Sequence, residues 1–180
     1  MTPEGVAALC RENPGMRAAL KAVARHGPPG AWIGAGFLRN AVWDVLHGRR
    51  PDVAELADLD VVFLDAAHPD PAADEAWEAR LREALPLPWS VTNQARMHGR
   101  SGQAAYCDLA EAIAHWPETA TAVAARMAGG KVELLAPHGW TDLLRLLVRP
   151  TPAFEARREV VAQRAEAKGW RHRWPRLTFA

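Results

Sequence analysis

Asp58-Leu59-Asp60 runs without a break into the apolar segment Val61-Val62-Phe63-Leu64. That pattern, bounded by polar loops, predicts a strand from Asp58 to Leu64. Side chains two apart on a strand share a face, so both carboxylates project together. Burying such a pair without a counter-charge is costly, and a divalent cation or an arginine relieves the cost. Two aligned carboxylates at a strand end are what a divalent cation needs when it is held against a triphosphate. The plainer reading is a turn aspartate followed by a strand with one exposed acid.

Upstream lies Trp32-Ile33-Gly34-Ala35-Gly36-Phe37-Leu38-Arg39-Asn40, a short strand breaking through two glycines into a helix. Gly34 and Gly36 let backbone approach a ligand closely. The helix that follows aims unpaired N–H groups and partial positive charge at the same point. Arg39 and Asn40 fall in its first turn as nucleotide-binding candidates, Arg39 through its phosphate-matching fork. The segment lacks the third glycine of a dinucleotide fingerprint and the Gly-Lys-Ser/Thr ending of a P-loop. The alternative is a tight strand-to-helix turn with a surface arginine.

The remaining pattern predicts helices over about 14–26, 37–47, 72–85, 108–115, 140–148 and 154–169, with a short helical turn before Pro14. Strands are expected at 31–34, 58–64 and 131–135, with 89–97 extended and 121–127 strand or loop. Strands and helices mix without a regular βαβ rhythm. The fold class is therefore α/β of the α+β kind, a small mixed or mostly antiparallel sheet flanked by helices. One domain is expected over residues 1–180, with a core of about 31–135 and a C-terminal helical extension of about 139–180. Trp116-Pro117-Glu118-Thr119 and Val148-Arg149-Pro150-Thr151-Pro152 read as structural corners.

Bulk properties exclude more than they assign. Basic residues number 22 and acidic residues 21, so no global charge draws the chain to nucleic acid. The basic exception is local: Arg157, Arg158, Arg164, Lys168, Arg171, Arg173 and Arg176 crowd the C-terminal segment. Together with Trp170 and Trp174 they suggest an RNA-binding face, against the plainer reading of a solvated helix and a tryptophan-anchored tail. Eight tryptophans read first as core and corner residues. Two cysteines, Cys10 and Cys107, form neither a disulfide framework nor a metal-ligand spacing. No apolar stretch approaches the ~20 residues that span a bilayer, and the N-terminus lacks the order of a secretory signal, so a cytoplasmic location is expected.

A third polar cluster, Trp89 to His98, offers Asn93, Gln94, Arg96 and His98. Carried on one strand, Gln94, Arg96 and His98 share a face opposite Asn93. Such a row can read a base edge or a phosphate, and the bland alternative is a hydrogen-bonded edge strand.

Six runs in order resemble one family: AGFLRNAVWDVLHG (35–48), DLDVVFLD (58–65), NQARMH (93–98), WPETATAV (116–123), DLLRLLVRPTPAF (142–154) and KGWRHRWPRL (168–177). Over roughly residues 31–177 the chain resembles an uncharacterised bacterial nucleotidyltransferase-like family of the polymerase β-type nucleotidyltransferase superfamily. The resemblance implies a glycine turn before a helix, matched by Gly34 and Gly36, and a metal-binding pair, matched by Asp58 and Asp60. It implies Mg²⁺ (or Mn²⁺), a nucleoside triphosphate, attack on the α-phosphorus, and pyrophosphate as leaving group. Members usually place Gly or Ser after the first glycine, where Ala35 stands here. They usually add a third carboxylate on a later strand, where this chain has Asn93. Asp65, Asp108 and Glu118 are the acids left for that role.

The expectation is a Mg²⁺-dependent nucleotidyltransferase with Asp58 and Asp60 as catalytic metal ligands. Gly34, Gly36, Arg39, Asn40, Asn93, Arg96 and His98 are its nucleotide-binding candidates. The acceptor is a small molecule, RNA or protein, with no membrane involved. The alternative is a weak or inactive nucleotide-binding or interaction module of the same fold.

Overall fold

The computed structural model describes residues 1–101 and 104–180. Among these, strands β1 (Trp32–Gly34), β2 (Leu59–Phe63), β3 (Trp89–Asn93), β4 (Ala124–Ala128) and β5 (Lys131–Leu135) form one sheet in the order β3-β2-β1-β4-β5. β2 and β3 are parallel, and the other neighbours are antiparallel. A parallel pair needs a crossover. Helix α4 (Pro71–Ala84) supplies it. The β4–β5 hairpin turns through Gly129 and Gly130, at φ 53° and 77°, a region that residues with a Cβ rarely adopt. The sheet is the mixed one that the sequence predicts.

Helices α1 (Pro3–Glu12) and α2 (Pro14–His26) begin the chain, and α3 (Gly36–Leu46) follows β1. Thr2, Asn13 and Asp70 accept backbone N–H groups at the starts of α1, α2 and α4, each with proline at the first helical position. Asn13-Pro14 is thus a cap between two helices, and the short turn expected before Pro14 is a helix of 10 residues. Period-two alternation then sorts the sheet's faces. Ile33, Leu59, Val61 and Phe63 join the main core with α1, α2 and α3. Trp32 and Val62 join a smaller cluster around Ile113 of helix α6 (Leu109–Ala114). Asp60 shares Val62's face, the less covered one.

Three expected elements later in the chain are corrected. The polar row 94–98 is not strand: β3 ends at Asn93, a 3-10 turn covers Gln94–Arg96, and His98 opens the short helix α5 (His98–Ser101). The helix expected over 140–148 is only α7 (Thr141–Leu144), because Leu146 turns to φ 61° and the chain enters β6 (Leu147–Val148). The helix expected over 154–169 starts as a 3-10 segment, Pro152–Arg157, and becomes α8 (Arg158–Ala167). After α8, Gly169 at φ 61° leads into α9 (Trp170–Arg173), and β7 (Thr178–Phe179) pairs in parallel with β6. The two corner motifs are zipped together: Thr119 N–H donates to Arg149 O and Thr151 N–H to Pro117 O, both at 3.0 Å.

The C-terminal tail docks on α3. Trp43 meets Trp170 and Trp174 edge-on, with ring centroids 5.4 and 5.1 Å apart. Trp174 Nε1 donates to buried Asp44 Oδ1 at 2.8 Å, and Arg173 reaches Asp44 and Glu55 at 3.3 Å. Both tail tryptophans are 1% exposed, so neither is free to stack on a base. Arg158 pairs with Glu155 and Arg164 with Glu118, which neutralises part of the basic segment internally. This takes the two tryptophans out of the expected RNA face and matches the tryptophan-anchored tail. No described helix is long and apolar enough to cross a membrane.

Replacing Trp174 with alanine removes a buried indole and leaves Asp44 without that donor. The expected cost is about 3–5 kcal/mol. Urea unfolding checks it, and a loss below about 1 kcal/mol means that the tail is not anchored as described.

Candidate active site

Register explains why the glycine turn and the acid pair meet. Ile33 lies opposite Val61 in the antiparallel β1–β2 pair, which brings Gly34 alongside Asp60. Ala35 N–H donates to Val123 O at 3.0 Å, and Ala35 sits at φ 51°, ψ −120°, a strained conformation for any residue with a Cβ. No side chain caps α3, so its first-turn N–H groups and partial positive charge open toward the turn.

The two glycines differ. A Cβ on Gly34 would fall 2.5 Å from Trp116 Cη2, so this glycine makes room for an indole rather than a ligand. A Cβ on Gly36 would meet only Arg39 Nη2 at 3.6 Å and Asn40 Nδ2 at 3.8 Å, which is ordinary contact. Gly36 lines a cleft of about 320 Å³ together with Ala35, Asp58 and Asp60, and with Arg164 and Lys168 from the α8 side. Asp58 is exposed and Asp60 half-buried. Neither carboxylate takes a hydrogen bond or ion pair from another described residue.

Burial, and then the negative charge of Asp58, push the Asp60 carboxyl up to about 6; Lys168, Arg39 and Arg164 oppose the shift. Added positive charge would relieve both causes. Among the described residues no group of three His, Cys, Asp or Glu side chains gathers to hold a metal. Two carboxylates and open space nevertheless suit Mg²⁺, which takes one or two protein carboxylates and fills its remaining positions with phosphate oxygens and water.

Arg39 is more buried than a phosphate-binding fork should be, at 4% exposed. Its Nη1 donates to Thr121 Oγ1 at 2.9 Å, while Nε and Nη2 donate to Asn40 Oδ1 at 3.1 and 2.9 Å. Its guanidinium lies 4.4 Å from the Trp170 ring centroid and 5.3 Å from that of Trp43. Burial lowers its pKa to about 10, so it stays charged at neutral pH. Arg39 and Asn40 line the cleft, but as a fixed cation and the amide that holds it.

Asn93, Arg96 and His98 stand apart from the acid pair, and none lines the cavities at Asp60. Asn93 Oδ1 accepts from the N–H groups of Asp65 and Ala95, and Nδ2 donates to Asp65 O and His68 O. Arg96 is bonded to Pro69 O and paired with Asp74, and the His98 ring meets Tyr106 edge-on. The candidate third acids are also engaged elsewhere. Asp65 holds the His68 turn, Asp108 caps α6, and buried Glu118 accepts from Arg164 Nε at 2.7 Å. Sequence reasoning counted Arg164 and Lys168 only within a basic, RNA-binding face and not toward the acid pair. Their i, i+4 spacing, which puts both on one side of a helix, was the available signal. It also missed a second cavity of about 550 Å³, which shares Ala35, Asp60 and Arg164 with the first.

A family model described as Nucleotidyltransferase matches residues 21–179. The chain belongs to that nucleotidyltransferase family. A protein whose NMR structure is described as a CCA-adding enzyme head domain is 34% identical to it, over 98% of this chain and 95% of that one, with a TM-score of 0.85. The apo form I of a tRNA-processing enzyme is 17% identical over 100% of this chain and 45% of its own, with a TM-score of 0.55. A CCA-adding enzyme in complex with CTP is 17% identical over 96% and 49%, with a TM-score of 0.52. At that identity the two longer proteins show the fold alone, and this nucleotidyltransferase spans about half of each. No curated protein matches. The fold is thus the polymerase β-type nucleotidyltransferase head fold that the resemblance implied.

Two predictions come from this geometry. Gly34→Ala forces Trp116 to move and is expected to cost at least about 2 kcal/mol, whereas Gly36→Ala leaves stability within about 1 kcal/mol. Urea unfolding of both variants checks the contrast. Asp60 binds its proton more tightly when folded than at its unfolded value of 3.8, so its contribution is fully present below that pH and is lost as pH rises through about 6. Without metal, Asp60→Asn is therefore expected to be the more stable form above pH 7, by up to about 3 kcal/mol, and to match the parent near pH 4. Unfolding in EDTA across pH checks it, and a difference independent of pH contradicts it.

Proposed function

We propose that this chain is a Mg²⁺-dependent nucleotidyltransferase, acting in the cytoplasm, that moves a nucleoside monophosphate from a triphosphate to an acceptor hydroxyl. The carrying observation is convergence: the uncapped start of α3, the Asp58/Asp60 pair and the Arg164/Lys168 cations line one cleft. Asp58 and Asp60 are the residues that hold the metal, Mg²⁺ or Mn²⁺. When bound, the cation supplies Lewis-acid polarisation of the phosphate oxygens.

The N–H groups at Gly36 and the next residues take phosphate oxygens, and the missing side chain of Gly36 keeps that approach open. Arg164 and Lys168 balance the charge that builds on the departing pyrophosphate, and buried Arg39 contributes a fixed positive field behind them. The acceptor oxygen bonds to the α-phosphorus. The bond from the α-phosphorus to the bridging oxygen breaks, and pyrophosphate leaves with the electron pair. Core and C-terminal extension act as one unit in this proposal, because each contributes a wall of the cleft.

A second reading is a nucleotide-binding module without transfer. It is favoured by the absence of a third acid near Asp60 among the described residues. Calorimetry with ATP and GTP, each with and without Mg²⁺, together with pyrophosphate release over an acceptor panel, separates the two. Transfer predicts release that falls at least about a hundredfold when Asp58 and Asp60 both become asparagine. Release unchanged in that double variant overturns the transfer reading, and Mg²⁺-dependent binding without release favours the module.

A further inference from the structure

Transfer requires a group to take the proton from the attacking hydroxyl, and the acids considered for that role are engaged elsewhere. The second cavity at Asp60 supplies another. Trp116, Tyr106 and Phe154 line it, and His115 and Gln94 are polar residues of the same lining. Gln94 Oε1 accepts from Trp116 Nε1 at 3.3 Å. Its Nε2 makes only a long contact of 3.4 Å with Thr92 O, which leaves donor capacity for a ligand.

His115 is held in one tautomer. Its Nδ1 lies 2.8 Å from the carbonyl oxygen of Glu111, one turn back on α6. A carbonyl oxygen only accepts, so Nδ1 carries the proton and Nε2 of the neutral ring is an open acceptor. Nε2 makes no hydrogen bond with a described residue. The Tyr106 ring, 5.1 Å away and tilted by 32°, fixes the imidazole plane from the side. Among the described residues, Tyr106 packs on this ring, Glu111 acts on it from its own helix, and Asp60, Arg157 and Arg164 line the same cavity. The resulting unit is an oriented imidazole in the same cavity as Asp60.

We propose that this cavity is the acceptor subsite, that it takes a ring-bearing small molecule with a hydroxyl and an anionic group, and that His115 is the catalytic residue that removes the hydroxyl proton. The proposal rests on the nucleotidyl-transfer reading. Flat aromatic walls favour a ring face. Arg157, whose guanidinium lies 4.2 Å from the Phe154 ring centroid, favours a negative substituent. A volume of about 550 Å³ is that of a small-molecule pocket. In the step itself, the hydroxyl oxygen bonds to the α-phosphorus as its proton passes to Nε2. The α-phosphorus releases the bridging oxygen of pyrophosphate, and the imidazolium afterwards returns its proton to solvent.

The test uses the full chain with labelled histidine, α,β-methylene-ATP with Mg²⁺, and 4-hydroxybenzoate as ring probe. Glycerol 3-phosphate serves as the acyclic control. With the analogue bound, 4-hydroxybenzoate is expected to shift the His115 ring signals saturably and glycerol 3-phosphate to leave them in place. Arg157→Ala should weaken the ring probe about tenfold. With Mg-ATP and 4-hydroxybenzoate as acceptor, His115→Gln should lower kcat by about 10²–10⁴-fold and leave KM nearly unchanged. Failure of the analogue to bind the parent, read by calorimetry, sinks the transfer reading. If the analogue binds, three results overturn the subsite alone: His115 signals that ignore the ring probe, no pyrophosphate release with it, or a His115→Gln variant within about twofold of the parent.

Discussion

One buried guanidinium, that of Arg39, joins three parts of the chain that are distant in sequence. It bonds to Asn40 on its own helix and to Thr121 just ahead of β4, and it stacks on Trp170 from the tail. Taking a cation out of water is expensive unless hydrogen bonds, ring faces and opposite charge replace the lost hydration. Here Thr121, Asn40 and the two tryptophans supply the first two, and Glu118, Asp60 and Asp58 supply the third. The acid pair needs Arg39 in return, because it is one of the positive groups that hold the Asp60 shift down. Stability of the tail and electrostatics of the cleft are therefore one problem with one solution.

The fold brings the cleft residues together by two local rules and one distant one. Alternation along β2 sends Asp60 to the less covered face of the sheet, and β1–β2 register sets it beside the turn into α3. Both rules act within neighbouring strands. The third wall comes from α8, and it reaches the cleft only because the Trp43–Trp170–Trp174 cluster holds the end of the chain against α3. A small sheet with a tightly turned strand-to-helix corner is a common way to hold phosphates. Here a tryptophan clamp completes it.

What could be read from the sequence follows the same division. The acid strand, the helix after Gly36, the helix between β2 and β3 and the strand after Gly129-Gly130 all follow from short-range periodicity and turn chemistry, and the structure agrees with them; the segment that forms β4 reads as strand or loop alike. Asn93 was misread because its type suggested ligand contact. Its four hydrogen bonds instead end β3 and turn the chain, which takes Arg96 and His98 away from the acids. Leu146 carries no local sign that it turns left-handed; only the later pairing of β6 with a strand near the end of the chain explains it. Gly34 was read as space for a ligand, whereas the occupant is Trp116, far along the chain. In each case local pattern gave the element, and the partner that decided the residue's role lay outside the window in which pattern operates.

The depth at which Arg39 lies has a further consequence. Lys168 stands where mobile ions can gather around it, and its pull on an anion fades as ionic strength rises. Arg39, walled in by protein, is beyond the reach of that ion cloud. The attraction at the mouth of the cleft is thus adjustable by the surrounding medium, while the attraction at its floor is set once, by folding.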